Sequence, residues 1–331
     1  MPRDAHPHEL TPLQCASTLR PHDALSSQAL LMRRPPPLGA GARVALVAPA
    51  GPVRGEDEVR VAEENVRSFG WVPVVGAHAL TRRGYLAGSD RERLIDLNRA
   101  LADESVAALW CLRGGYGSMR LLDEVDYASL RRKPKVLLGY SDITALHSAV
   151  ATRCETITFH GPTARTPLSA FSRDSLVRAL DGGDPCGTAE RGTTLFPGKA
   201  RGHLVGGNLA LLSSLAGTPY EPPYEGGILV IEDVNEPLYR IDRMLTQLRL
   251  TGALRRCVGL AFGALSQVAT DSADVEPTAP TLREVLRGVA ESLRLPCIEG
   301  VPVGHIADQW TIPLGAQAEL DADARTLRVA V

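Results

Sequence analysis

No stretch of the chain approaches the ~20 consecutive apolar residues that a membrane-spanning helix needs, so no membrane contact is expected. An excess of one charge is missing too. The formal net charge of −2 over 331 residues gives no basic field to draw nucleic acid or an acidic membrane surface. The six cysteines (Cys15, Cys111, Cys154, Cys186, Cys257 and Cys297) include no C-x-x-C pair. That spacing points to a reduced compartment and away from a structural zinc site. Cys111 and Cys257 lie in or beside apolar runs, as buried free thiols do. No histidine pair has the H-E-x-x-H spacing, so metal catalysis is not expected. Internal repeats, low-complexity tracts and long single-sign charge runs are absent as well. The composition that remains is that of an ordinary globular protein, 44% hydrophobic and 22% charged, and long enough for a large core.

Residues 1–38 carry acidic, histidine and proline residues early and end on Pro35-Pro36-Pro37. They have no sustained apolar core, so the expectation is a poorly ordered extension rather than a signal peptide. From Arg43 onward strands alternate with helices. Arg43-Val44-Ala45-Leu46-Val47-Ala48 is a continuous apolar run of the kind buried in a parallel sheet. A helical face follows (Val59, Ala62, Val66, Phe69), then Trp71 to Val75, whose proline predicts an edge strand. Ser89 is positioned to cap a helix carrying Leu94, Leu97 and Leu101. Val106 to Leu112, Lys135 to Gly139 and Thr156 to Phe159 are further strands. Ligands of such a sheet sit at the carboxyl ends of its strands. The stretch 166–199 is irregular, with one helix around Asp174–Leu180, and is read as a linker. It divides a domain at 39–165 from one at 200–331. The second domain offers a strand ending at Glu232, a helix from Pro237 to about Leu250, a capping box at Thr281 to Glu284, and a hairpin turn around Asp321–Ala324.

Several strand ends carry residues with chemical potential. In Gly139-Tyr140-Ser141-Asp142 a serine follows a strand and opens a helix. There its hydroxyl is pushed off the sheet edge, near backbone N–H groups left unpaired by the helix start. It can serve as a nucleophile or simply as an N-cap. Arg113-Gly114-Gly115-Tyr116-Gly117 lacks the P-loop and G-x-G-x-x-G patterns. It can bring backbone N–H groups close to an oxyanion, or be a tight turn. Glu232 ends an apolar strand and can orient a histidine, or belong with Asp233 and Glu236 to a solvated acidic loop. His305 follows an apolar stretch, and His160 and His203 occupy comparable places; any of the three can be a general base or a structural histidine. His147 falls within the helix after Ser141, and His78 has no supporting pattern. The order Ser141, Glu232, His305 is that of α/β-hydrolases. Their G-x-S-x-G elbow is absent, since Ile143 stands two after the serine. A triad is defined by geometry, however, and occurs on unrelated folds.

These residues resemble the serine LD-carboxypeptidases (muramoyltetrapeptide carboxypeptidases), a family that includes the microcin C immunity peptidases. The matching blocks are Val44-Ala45-Leu46-Val47-Ala48-Pro49-Ala50-Gly51, Arg113-Gly114-Gly115-Tyr116-Gly117-Ser118, Gly139-Tyr140-Ser141-Asp142-Ile143-Thr144, His160-Gly161-Pro162, Gly206-Gly207-Asn208-Leu209, Glu232-Asp233 with Tyr239-Arg240-Ile241-Asp242-Arg243, and Gly304-His305 with Pro313-Leu314-Gly315. They run in family order from about Gly41 to Leu320. The resemblance implies an amidase-like (flavodoxin-like) parallel α/β domain followed by an α/β domain with a small barrel-like sheet. It implies Ser141 as nucleophile, His305 as general base and Glu232 as the group orienting it. The N–H of Asp142 and one from Gly114 or Gly115 form the oxyanion hole. Arg113 and the glycine loop are candidates for holding the free carboxylate of the C-terminal D-alanine. The activity implied is release of C-terminal D-alanine from murein tetrapeptide in peptidoglycan recycling, by a cytoplasmic homodimer without a cofactor. The alternatives are a microcin C-type peptidyl-nucleotide peptidase, for which Phe171 and Phe196 are the available aromatic contacts, and an inactive ligand-binding homologue. The long extension and Phe159, where threonine is frequent, depart from the family pattern.

Overall fold

A computed structural model describes residues 31–266 and 280–330. The extension expected at 1–38 thus falls mostly outside the described residues, as does Cys15. The described part of the extension is tied down. Arg33 N–H donates to the Glu155 carbonyl at 2.7 Å, and the Arg34 guanidinium donates to the Ala179 carbonyl at 2.8 Å.

The first sheet arises from alternation of apolar strands and amphipathic helices: β1 (Arg43–Val47), α1 (Glu56–Ser68), β2 (Val72–Val75), α2 (Asp90–Ala102), β3 (Val106–Cys111), α3 (Tyr127–Arg132), β4 (Val136–Gly139), α4 (Thr144–Cys154) and β5 (Thr158–His160). Between β3 and α3 the chain forms a 3-10 helix over Ser118–Glu124. Successive residues of β1 point to opposite faces, as the strand period requires. Val44 and Leu46 join Val59, Ala62 and Val66 of α1 in one core, while Ala45 and Val47 join Leu94, Leu97 and Leu101 of α2 in another. A sheet covered on both faces explains why its strands read as continuous apolar runs. α2 begins with a capping box in which Ser89 and Glu92 bond reciprocally.

The 166–199 stretch holds α5 (Ala170–Asp181), β6 (Gly187–Thr188) and β7 (Thr193–Phe196). There follow β8 (Lys199–Asn208), α6 (Leu209–Leu215), β9 (Gly227–Val234), α7 (Leu238–Leu250), α8 (Ala253–Arg256), β10 (Gly259–Ser266), α9 (Leu282–Leu293), β11 (Cys297–Glu299), β12 (Ile312–Leu314), β13 (Gln317–Asp321) and β14 (Thr326–Val329). The second sheet has the order β6-β14-β13-β8-β9-β10-β11-β7. It is a mixed sheet with a parallel centre (β8 to β11) and antiparallel flanks. Its edges, β6 and β7, do not pair with each other, so it stays open where a barrel-like closure was expected.

The two sheets are not independent. β12 leaves the second half of the chain and pairs antiparallel with β5, giving the first sheet the order β12-β5-β4-β3-β1-β2. Ile228 and Val230 of β9 belong to the same buried cluster as Val44 and Leu46. At the seam, the N–H of Asn208 donates to Thr144 Oγ1 at 2.9 Å, and a Cβ at Gly207 would overlap the Thr144 side chain. Thr144 is the first residue of α4, so the end of β8 packs directly on the helix that Ser141 precedes.

Candidate active site

β4 ends at Gly139, where a side chain would crowd its neighbours: a Cβ there would lie 3.0 Å from Cys111 Cβ and 3.1 Å from Ile143 Cγ1. The next turn places Ser141 at φ 64°. A left-handed conformation costs a non-glycine residue roughly 1–2 kcal/mol and persists only where the surroundings impose it. Ser141 makes no side-chain capping bond; a 3-10 turn over Ser141–Ile143 starts the helix instead. The plain N-cap reading is therefore corrected. The strain goes into aiming the serine, not into satisfying an amide.

The glycine loop is fastened to this turn. Ser118 N–H donates to Asp142 Oδ2 at 2.8 Å, and Ser118 Oγ donates to the Asp142 carbonyl at 2.5 Å. A Cβ on Gly114 would stand 2.9 Å from Ser141 Cβ and 3.1 Å from its Oγ, so only glycine fits against the serine. The Gly114 carbonyl is turned away to accept from Gly51 N–H at 2.9 Å. Gly115 is at φ 106°. The buried Arg93 guanidinium fixes the loop from below. It donates to the Pro49 carbonyl, to the Gly117 carbonyl at 2.8 Å and to Asp90 Oδ1 at 2.5 Å. Arg93 was not singled out from the sequence. The available signal was a lone arginine on the face of α2 that also carries Leu94, Leu97 and Leu101.

Glu232 lies inside β9, which continues past the expected strand end to Val234, and it has no exposed surface, so it does not belong to a solvated acidic loop. Its Oε2 is 2.8 Å from His305 Nδ1, which leaves Nε2 of that imidazole free to face a serine. Gly304 permits the approach: at φ 113°, a Cβ there would come 2.8 Å from Glu232 Cβ. The Tyr140 ring packs on His305 at a centroid distance of 4.8 Å and so joins the histidine to the residue preceding Ser141. Ser141 Oγ itself makes no hydrogen bond among the described residues, an open arrangement common in unliganded sites.

The competing histidines separate clearly. His203 is buried and bonds the Pro223 carbonyl at 2.7 Å. His78 bonds Asp96 at 2.9 Å. His147 is buried against the Gly139 carbonyl at 2.8 Å, and burial pushes its pKa down to about 4. His160 is the exception. It sits at the end of β5, buried, with Nε2 4.0 Å from Glu232 Oε1. Neither of its ring nitrogens nor Glu232 Oε1 has a hydrogen-bond partner among the described residues. Burial, then the neighbouring His147 and His305, hold its pKa well below the ordinary value. It therefore lies behind the carboxylate as a neutral ring. Arg113 is half-buried and donates to the Pro52 carbonyl at 2.5 Å. No group of three or more metal-ligating side chains occurs among the described residues.

The LD-carboxypeptidase N-terminal domain profile matches residues 44–161, and the C-terminal domain profile matches residues 201–320. A Streptomyces coelicolor protein named provisionally as a carboxypeptidase is 42% identical over 312 residues, 89% of this chain and 95% of its own. The murein tetrapeptide carboxypeptidase of Pseudomonas aeruginosa is 34% identical over 300 residues, covering 85% of this chain and 94% of its own. Among solved structures, the muramoyltetrapeptide carboxypeptidase of Oxalobacter formigenes superposes with a TM-score of 0.76 at 28% identity, over 87% of this chain and 98% of its own. The microcin C7 self-immunity protein, solved with aspartyl sulfamoyl adenosine, shares the fold with a TM-score of 0.78 at 23% identity, over 89% and 98%. The chain belongs to the LD-carboxypeptidase family of serine peptidases.

Proposed function

We propose that the enzyme releases C-terminal D-alanine from murein tetrapeptide through a Ser141, His305, Glu232 triad. The observation that carries this reading is the buried Glu232 held 2.8 Å from His305 Nδ1, with the His305 ring packed on Tyr140, the residue before a serine at φ 64°. The Glu232 carboxylate holds one imidazole tautomer and stabilises the imidazolium as it forms. His305 takes the Ser141 proton while the hydroxyl attacks the carbonyl between meso-diaminopimelate and D-alanine. The Asp142 N–H and one from Gly114 or Gly115 face the developing oxyanion, each worth roughly 3 kcal/mol in comparable sites. His305 then protonates the leaving amine, and water hydrolyses the acyl-enzyme by the reverse path. In this reading residues 39–165 supply the nucleophile and residues 200–331 the acid–base pair. The family resemblance further supports a cytoplasmic homodimer acting in peptidoglycan recycling on a peptide, not on nucleic acid.

The test is D-alanine release from purified murein tetrapeptide. Ser141→Ala is expected to lower kcat at least about 10³-fold with the fold retained. Unchanged turnover in that variant removes Ser141 from the role. A second reading, cleavage of an aminoacyl nucleotide, draws on the fold shared with the self-immunity protein and on Phe171, 43% exposed near the turn that holds Ser169 and Ser172. Faster turnover of an aminoacyl sulfamoyl adenosine than of tetrapeptide would favour it.

A further inference from the structure

Strand order lays out the carboxyl edge of the first sheet as a line. His160 ends β5, Ser141 follows β4, the Arg113–Gly115 loop follows β3, the Pro49–Pro52 turn follows β1, and the 76–89 loop follows β2. Ser141 divides this line. On one side lie His160, Glu232 and His305, with a cleft of about 380 Å³ between Tyr140, Pro162, His305 and Gln309 that no arginine or lysine lines. On the other side a cleft of about 630 Å³ opens between Gly51, Arg82, Tyr85, Arg113 and Tyr116. The two clefts differ in charge as well as position.

The larger cleft is cationic and has no anion of its own. Arg82 makes no hydrogen bond or ion pair among the described residues, and Arg113 has only the Pro52 carbonyl. Burial and the nearby Arg165, Arg54 and Arg82 lower the Arg113 pKa, against a single opposing carboxylate, Glu58. Glu58 is already committed to Arg165 at 2.7 Å. Tyr85 and Tyr116 are 68% and 49% exposed, yet their rings meet edge to face at 5.6 Å. Free guanidinium groups are forks for carboxylates, and exposed aromatic faces pack on aliphatic chains.

The chemistry assigns the two sides. The acid that protonates the leaving amine must sit on the leaving group's side of the serine. His305 stands on the β5 side, so the leaving residue belongs there and the retained acyl portion extends over β3, β1 and β2. In murein tetrapeptide that acyl portion carries two free carboxylates, one on the γ-linked glutamate and one on diaminopimelate. We infer that the cleft of Arg82, Tyr85, Arg113 and Tyr116 is the acyl-side subsite and binds a dianionic peptide through those carboxylates. This rests on the murein-peptide reading above, and it moves Arg113 away from the C-terminal carboxylate.

The experiment is calorimetric titration of Ser141→Ala with murein tetrapeptide and with two amidated forms. One is amidated at both acyl-side carboxylates, the other at the D-alanine carboxylate. Acyl-side amidation is expected to weaken binding about tenfold. Arg82→Ala in the same background is expected to weaken the unmodified peptide about fivefold, in line with an exposed ion pair, and to change the acyl-side amidated peptide far less. The inference is overturned if Arg82→Ala weakens both peptides equally. It is also overturned if the D-alanine amide is the form that abolishes the Arg82 effect, which would put the leaving residue in this cleft. Sedimentation of Arg82→Ala/Tyr85→Ala must show an unchanged mass, because a change would make the patch a contact between copies. D-alanine release by the wild-type enzyme is measured alongside. Release without Arg82 dependence sinks the subsite alone. Acyl-carboxylate-dependent binding without release sinks the murein reaction and leaves the subsite standing.

Discussion

At the scale of single residues, the site is shaped as much by missing side chains as by the three proposed catalytic ones. Gly114 faces Ser141 so closely that one methyl group would meet both its Cβ and the Tyr140 carbonyl, 2.9 and 3.1 Å away. Gly114→Ala is expected to cost about 1–3 kcal/mol of stability as overpacking. Its effect on catalysis is expected to be larger, because a displaced serine or donor costs roughly 10²-fold in kcat. Steady-state kinetics with a thermal melt on the same protein checks this. A fall in KM-dependent binding alone, with kcat kept, would mean the loop does not face the reacting carbonyl. The αL serine belongs to the same account. Its φ of 64° is imposed by the packing around Gly139 and by the Asp142 to Ser118 bonds, and no local propensity favours it.

Among elements, α2 has two jobs. Its apolar stripe covers one face of the sheet, and Arg93 on that stripe reaches up to hold two loops at once. The guanidinium is fully buried, so removing it orphans the Pro49 and Gly117 carbonyls. Arg93→Met keeps much of the volume and is expected to cost about 3 kcal/mol. The diagnostic readout is hydrogen exchange. Amides of the 113–118 loop should exchange faster in the variant than those of β3, and kcat should fall with them. Uniform loosening of the whole first sheet would make Arg93 a packing residue only. The helices and strands themselves were largely legible. Capping signals at Ser89 and Thr281, the edge proline in β2 and the Asp321 turn all sit where the local pattern puts them. The 166–199 stretch was less legible because β6 and β7 are only 2 and 4 residues long and gain their order from partners far along the chain.

For the molecule as a whole, the buried histidines behind the site make stability depend on pH. His147 is held neutral, its pKa pushed from 6.5 down to about 4 by burial. A group depressed in this way is protonated more readily when unfolded, so its contribution is complete above pH 6.5 and is lost as pH falls toward 4. For His147 the loss amounts to about 3 kcal/mol. His160 acts in the same direction. Asp233 opposes both, because burial raises its pKa from 3.8 to about 6 and it stabilises the fold as pH falls through that range. The difference between proteins isolates the effect. Between pH 6.5 and 4 the wild type should lose about 3 kcal/mol relative to His147→Asn in urea unfolding. Parallel pH profiles of the two proteins would show that His147 does not titrate with folding.

Local sequence was enough for the alternation of strands and helices, the place of Ser141 after β4, and the family order of the blocks, because apolar periodicity and turn chemistry act within a few residues. Apart from the family resemblance, which implies His305, it left His160, His203 and His305 open, since a histidine's role depends on what lies beside it. Their partners are a matter of tertiary structure: His305 meets Glu232 at 2.8 Å, and His203 meets the Pro223 carbonyl at 2.7 Å. The pairing of β12 with β5 and the packing of β9 against the first core bring Glu232 and His305 to the end of the strand that Ser141 follows. The openness of the second sheet was likewise a long-range outcome, set by which strands find partners and not by any one strand's composition.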